Sequence, residues 1–130
     1  MEKSDWLECI ANNTVTFCDR DEEIKELPWN KHPKFKGVYL KHLITSKDTE
    51  GKLSCHMVRI DPQCVLEEHV HESQWETHEI IGGSGFLVLA GRETPFHPGR
   101  VAVIPKGMTH SVVASSEGLV LLAHFSPALV

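Results

Sequence analysis

Long apolar runs are missing from this chain. No stretch approaches the roughly 20 consecutive apolar residues that a membrane-crossing helix needs, so no membrane partner is expected. Clustered Lys and Arg are missing too. Thirteen basic residues against eighteen acidic ones leave a formal net charge of −5. A surface that tracks phosphates needs a basic patch, so nucleic acid is not an expected partner. The four cysteines, Cys9, Cys18, Cys55 and Cys64, form no Cys-x-x-Cys pair. That argues against a thiolate metal site or a disulfide framework, and four reduced thiols are expected. The N-terminus carries early acidic residues and no apolar segment of signal-peptide length, so a cytoplasmic location is expected.

What is present suits one domain. The chain has 130 residues, 41% of them hydrophobic, enough for one core. Residues 1–36 read as an N-terminal arm. In it Thr14–Cys18 suits a short strand, and Asp19–Leu27 suits one or two helical turns ended by Pro28. Trp6 and Trp29 are expected to pack this arm on the rest of the domain or on a second subunit. Residues 37–130 change texture to short β segments separated by Gly, Pro, Asp and Ser. The expected strands are Val38–Thr45, Leu53–Ile60, Val65–His71, Glu76–Ile81, Phe86–Ala90, Val101–Ile104, His110–Ser115 and Leu119–Phe125. Turns are expected at Ser46–Gly51, at Gly82–Gly85 and from Pro95 to Gly99. Many short strands at regular spacing predict an all-β sandwich or barrel.

Nine histidines are the unusual part of the composition. His69 and His71 share one face of a strand, because side chains alternate with period two. Glu76 follows five residues later, after a segment able to turn the chain into an antiparallel strand. Far along the chain, Pro105-Lys-Gly107 forms a tight turn just before His110. Three imidazoles and a carboxylate suit one divalent transition metal: Fe, Mn, Ni, Zn or Cu. Four protein ligands leave one or two positions open for a substrate.

The stretch HVHESQWETHEIIGG resembles the first motif of the cupins, HxH-x(3–4)-E-x(6)-G, through His69, His71, Glu76 and Gly83. GRVAVIPKGMTH resembles the second, G-x(5)-P-x-G-x(2)-H, through Gly99, Pro105, Gly107 and His110. The resemblance implies a double-stranded β-helix, or jelly-roll barrel, with His69, His71, Glu76 and His110 as metal ligands. Two positions depart from the pattern. Gln63 stands where a Gly often precedes the first His, which puts the shape of that turn in question. Ala114 replaces an Asn that often ends the second motif.

On a strand with Glu76, His78 faces the same side, the barrel interior. Three roles stay open for it: a group that faces substrate and moves a proton together with Glu76, a direct ligand, or a packing histidine. His56 is expected to point inward as a packed or cavity-lining group. His124 is expected in sheet packing or an interface, and His32, His42 and His97 in or near solvated loops. Arg59 and Arg92 are candidate cations for a carboxylate substrate, and Arg59 is expected to be solvated. Proteins that resemble this chain include dioxygenases, isomerases, lyases, decarboxylases and non-catalytic binders. The expected function is therefore metal-dependent chemistry of isomerase, lyase or dioxygenase type on a small polar or carboxylate-bearing metabolite. The alternative is a metal-assisted binder of a sugar or organic acid. Similar proteins usually pair, so a homodimer is expected, with Trp6, Trp29, Phe35 and Tyr39 as interface aromatics.

Overall fold

The computed structural model describes residues 3–130, and it is nearly all β. Residues 1 and 2 of the expected arm lie outside the described residues. The arm begins with a helix, α1 (Lys3–Ala11), which turns Leu7 and Ile10 toward the domain. A small hairpin follows, of β1 (Thr14–Thr16) and β2 (Asp21–Glu23). Of the nine residues expected to hold one or two helical turns, Asp21–Glu23 are strand instead. Helix survives there only as a single 3-10 turn at Ile24–Glu26. Pairing with Thr14–Thr16 overrides the helix-start signal of the acidic run, a case of tertiary context outweighing local propensity.

The barrel strands are β3 (Asn30–Lys31), β4 (Val38–Ile44), β5 (Ser54–Ile60), β6 (Val65–His69), β7 (Trp75–Leu89), β8 (Arg92–Phe96), β9 (Val101–Ile104) and β10 (His110–Ser126). Between β4 and β5 one turn of helix, α2 (Ser46–Thr49), lies in the stretch expected as a turn. Its first turn is closed by the Thr45 N–H donating to Asp48 Oδ2 at 2.9 Å. Every pairing is antiparallel. The pairings divide into two layers. One runs β3-β4-β5-β10-β7-β9, using the C-terminal half of β10 and the N-terminal half of β7. The other runs β6-β10-β7-β8, using the opposite halves of the same two strands. This is a jelly roll in which β7 and β10 each belong to both layers.

The expected turn at Gly82–Gly85, and the expected break between Ser115 and Leu119, are therefore passages inside long bent strands. Their glycines are there for contact rather than for a turn. A Cβ on Gly83 would lie 2.1 Å from the Gly118 carbonyl oxygen, and one on Gly85 would lie 2.0 Å from the Val113 oxygen. No side chain fits at that approach. Pro95 likewise lies within an edge strand, β8, rather than opening a turn. Gln63 takes φ 63°, the left-handed region that favours glycine, so the turn keeps its shape with a side chain that strains it.

The core between the layers is apolar, with Val38, Ile60, Ile80, Leu119, Leu121 and Phe96 all under 2% exposed. Full burial of such a side chain stabilises the fold by about 2 kcal/mol. The outer face of the six-stranded layer has a second cluster, Ile24, Leu43, Cys55, Met57 and Ile81, covered by Leu7, Ile10 and Trp29 of the arm. Because β5 is covered on both faces, nearly all of its residues are buried and it shows no clean apolar–polar alternation. Of the four aromatics expected at an interface, three are engaged within the chain. Arg59 lies over the rings of Trp29 and Tyr39, at 4.9 and 4.2 Å from their centroids. Phe35 packs on the inner core. Trp6 stays 51% exposed. No described helix is long and apolar enough to cross a membrane.

Candidate metal centre

His69 and His110 meet because they are register partners across β6 and β10; their ring centroids lie 4.2 Å apart. His71 comes from the loop just past the end of β6, not from the strand itself, and its ring still reaches 5.0 Å from that of His69. The turn at Pro105–Gly107 positions that loop. Gly107 takes φ 78° and donates its N–H to the His71 carbonyl at 2.8 Å, tying the second motif to the first. Ligand atoms of His69, His71 and His110 all lie within 4.8 Å of one another.

Glu76 arrives from the opposite layer. β7 is not the hydrogen-bonded neighbour of β6; its first half pairs with β9 and with the far half of β10. The cluster thus straddles the two layers, with His69 and His110 on one, Glu76 on the other and His71 on the connecting loop. Glu76 Oε1 lies 3.2 Å from His110 Nε2 and 3.7 Å from His71 Nε2.

Backbone carbonyls orient the rings. A carbonyl only accepts, so His69 Nδ1–H donates to Glu67 O at 2.7 Å, and His110 Nδ1–H donates to Met108 O at 3.0 Å. Each ring then presents Nε2 to the cluster. Burial pushes the His69 pKa down to about 4 and lowers that of His71, so both imidazoles are neutral near pH 7. Burial alone would raise the Glu76 pKa. The neighbouring His78, which donates to Glu76 Oε2, and the contact with His110 outweigh it and hold the carboxyl well below its usual range. For His110, burial is outweighed in turn by Glu76 and by the Met108 carbonyl, and its pKa rises.

Glu76 Oε1 and His110 Nε2 are both buried and both lack a hydrogen-bond partner among the described residues, although they face each other. At 3.2 Å they are too poorly aligned for an N–H···O bond. A carboxylate oxygen opposite a bare imidazole nitrogen is repulsive, and either a proton on His110 Nε2 or a metal cation between the two relieves it. The donor set, three imidazole nitrogens and one carboxylate oxygen, fits a borderline divalent ion.

His78 is 1% exposed, and its Nε2–H donates to Glu76 Oε2 at 2.7 Å. It lies on the inner face beside Phe96, and its Nδ1 has no partner among the described residues. The group of mutually close donors is His69, His71 and His110; neither Glu76 nor His78 is part of it, and Glu76 reaches it through the contacts of Oε1 with His110 and His71.

A second imidazole cluster lies deeper. His56 is fully buried, as expected for an inward residue, but His42 is not a solvated loop residue. It is half-buried on β4 directly across from His56, with their Nδ1 atoms 2.8 Å apart. His56 Nε2 lies 2.8 Å from Ser54 Oγ, which accepts the Leu129 N–H at 2.8 Å. A neutral His56 donates through one ring nitrogen and accepts through the other, so it bridges Ser54 and His42 in either tautomer. His42 escaped sequence reasoning because its partner is a cross-strand neighbour, visible only once β4 and β5 are paired. The remaining candidates lie elsewhere. His124 and His97 are exposed, and His32 stacks on Phe35 with ring centroids 4.6 Å apart. Arg59 lies on the outer face and Arg92 is exposed at the start of β8. Two cavities, of about 470 and 370 Å³, open on the outer face near α1 and away from the imidazoles.

A family model described as "Cupin domain" matches residues 56–125, a span that includes every residue of both motifs. The chain belongs to the cupin family. A curated relative, an uncharacterized protein of Aquifex aeolicus, is 40% identical over 60 residues, which is 46% of this cupin and 50% of the relative. The match thus spans about half the length of each. Among solved structures, KdgF from Halomonas sp. aligns at 24% identity over 79% of this chain and 90% of its own, with a TM-score of 0.69. A predicted oxalate decarboxylase from Thermotoga maritima aligns at 23% identity over 79% and 95%, with a TM-score of 0.72. An RmlC-like cupin from Shewanella frigidimarina aligns at 16% identity over 89% and 95%, with a TM-score of 0.73. At these identities they show the fold.

Proposed function

We propose that this cupin binds one divalent transition metal through His69, His71, Glu76 and His110, and acts as an enzyme on a small polar or carboxylate-bearing metabolite. The observation that carries the reading is the facing pair of buried, unpartnered atoms, Glu76 Oε1 and His110 Nε2. A bound ion supplies Lewis-acid polarisation of an oxygen ligand or, if it is iron, redox capacity.

The chain's own groups do the rest. Carbonyls of Glu67 and Met108 hold two imidazoles in the tautomer that offers Nε2. Glu76 uses one oxygen for the cluster and the other for His78. Because His78 Nε2–H is committed to Glu76, its Nδ1 is the lone pair left to take a proton from a substrate. That division suits isomerase, lyase or dioxygenase chemistry. A metal-assisted binder needs the same four ligands but no proton carrier, and the His78–Glu76 contact favours the enzyme. The structure named above as a predicted oxalate decarboxylase supports an enzymatic reading by analogy.

Elemental analysis of untagged protein, purified without chelator, tests the proposal. About one ion per chain is expected. Less than a tenth of an ion per chain, after incubation with each of the five candidate metals, overturns it.

A further inference from the structure

Three imidazoles line the candidate centre, and main-chain carbonyls orient two of them, His69 through Glu67 and His110 through Met108. His71 has no such tie. Its carbonyl accepts the Gly107 N–H, which fixes the loop backbone, but no hydrogen bond among the described residues reaches its ring. Glu76 Oε1 lies 3.7 Å from His71 Nε2, beyond hydrogen-bond range. An imidazole turns about two side-chain bonds, so a loop-borne ring without a partner needs another device to present Nε2.

That device is an aromatic contact. Phe125 lies near the end of β10, where Leu121, Ala123 and Phe125 alternate onto the inner face. Its ring centroid is 4.9 Å from that of His71, with the planes 76° apart, the near-perpendicular arrangement that aromatic pairs favour. The same ring meets His56 at 5.6 Å and 68°, and His56 is held in turn by Ser54 and His42. Across the sheet, Phe125 is the register partner of Glu76 on β7 and of Ser54 on β5. The ring that abuts His71 and the carboxylate that His71 faces are therefore carried side by side on neighbouring strands. A leucine there keeps much of the apolar volume, but only a flat ring holds His71 at a set angle.

We propose that Phe125 is a positioning residue: its ring fixes the His71 imidazole against Glu76 and so sets how tightly the centre holds its ion. The proposal rests on the metal-binding reading above and adds a residue outside the four ligands. Phe125 acts through His71 and not on the ion.

Cobalt(II) is the probe, because its visible absorption reports both occupancy and ligand geometry. Titrated into the metal-free full chain, it is expected to bind Phe125→Leu about tenfold more weakly than wild type. The bound spectrum of Phe125→Leu is expected to move toward that of His71→Ala, which keeps three of the four ligands. With His71 already replaced by Ala, adding Phe125→Leu is expected to change the dissociation constant by less than about twofold, because the ring it serves is gone. An equal loss in both backgrounds marks a general loosening of the core and overturns the proposal. So does a Phe125→Leu protein that matches wild type in affinity and spectrum. If Phe125→Leu does not fold by circular dichroism, Phe125→Met carries the same cycle. These outcomes leave the metal-binding reading standing. Wild-type protein that takes up no cobalt overturns that reading, and the proposal with it.

Discussion

The barrel interior holds two imidazole clusters that differ in one respect. In the one around His56, both ring nitrogens of that residue have a hydrogen-bond partner, in a chain from Leu129 through Ser54 and His56 to His42. In the one nearer the surface, two buried polar atoms face each other without a bond. Both sets mix buried and half-buried histidines, so residue type and burial do not separate them. Hydrogen-bond completeness does. A satisfied cluster holds the fold, whereas an unsatisfied one is arranged for something that arrives later.

The largest effect that would break this comparison concerns metal. His69→Ala with His71→Ala is expected to lower metal content from about one ion per chain to less than a tenth. His56→Leu should leave it unchanged by the same elemental analysis. Loss of metal in His56→Leu would erase the distinction. Stability should respond the other way. His56→Leu leaves His42 Nδ1 and the Ser54 hydroxyl without their partner, and an expected loss of about 3 kcal/mol is measurable by urea unfolding of metal-free protein.

Acid sharpens the contrast. Burial, then the charge of His42, pushes the His56 pKa down to about 4, against an ordinary value of 6.5. The unfolded chain therefore takes up the proton first. The contribution of neutral His56 is complete above about pH 6.5 and is lost as the pH falls toward 4. His69 moves in the same direction, and His110, whose pKa is raised, moves against them. The difference between wild type and His56→Leu isolates the His56 share, expected to be on the order of 2 kcal/mol between pH 7 and 4. Parallel stability–pH curves for the two proteins would count against the assignment.

Smaller still is the expected effect of His78→Phe on metal content, which should be nil by elemental analysis while any turnover falls at least tenfold. Loss of the ion would instead make His78 a ligand. Gln63→Gly, remote from both clusters, is expected to gain about 0.5–1 kcal/mol in thermal unfolding by relieving the positive φ.

Much of the site could be read from spacing. His69, His71, Glu76 and His110 are brought together because short strands and one tight turn are local devices with sequence signals. The halves of the long strands were harder to read. Gly82–Gly85 looks like punctuation, and only the nearness of Gly118 and Val113, about 30 residues away in the chain, shows that it marks a backbone crossing. Helix α1 carries a weak signal, since Trp6, Leu7 and Ile10 in nine residues make barely half an amphipathic pattern. His42 looked solvated for a related reason. Its surroundings are supplied by β5, and no pattern within β4 announces them.

The pinch where Gly83 meets Gly118 works as a calliper. Glu76 and His110 stand on opposite jaws, joined through the two strands that cross there. A side chain at the pivot would collide with the Gly118 backbone and push the two strands apart, so the spacing of Glu76 from His110, on which the proposed centre depends, is set in part by two glycines at the crossing.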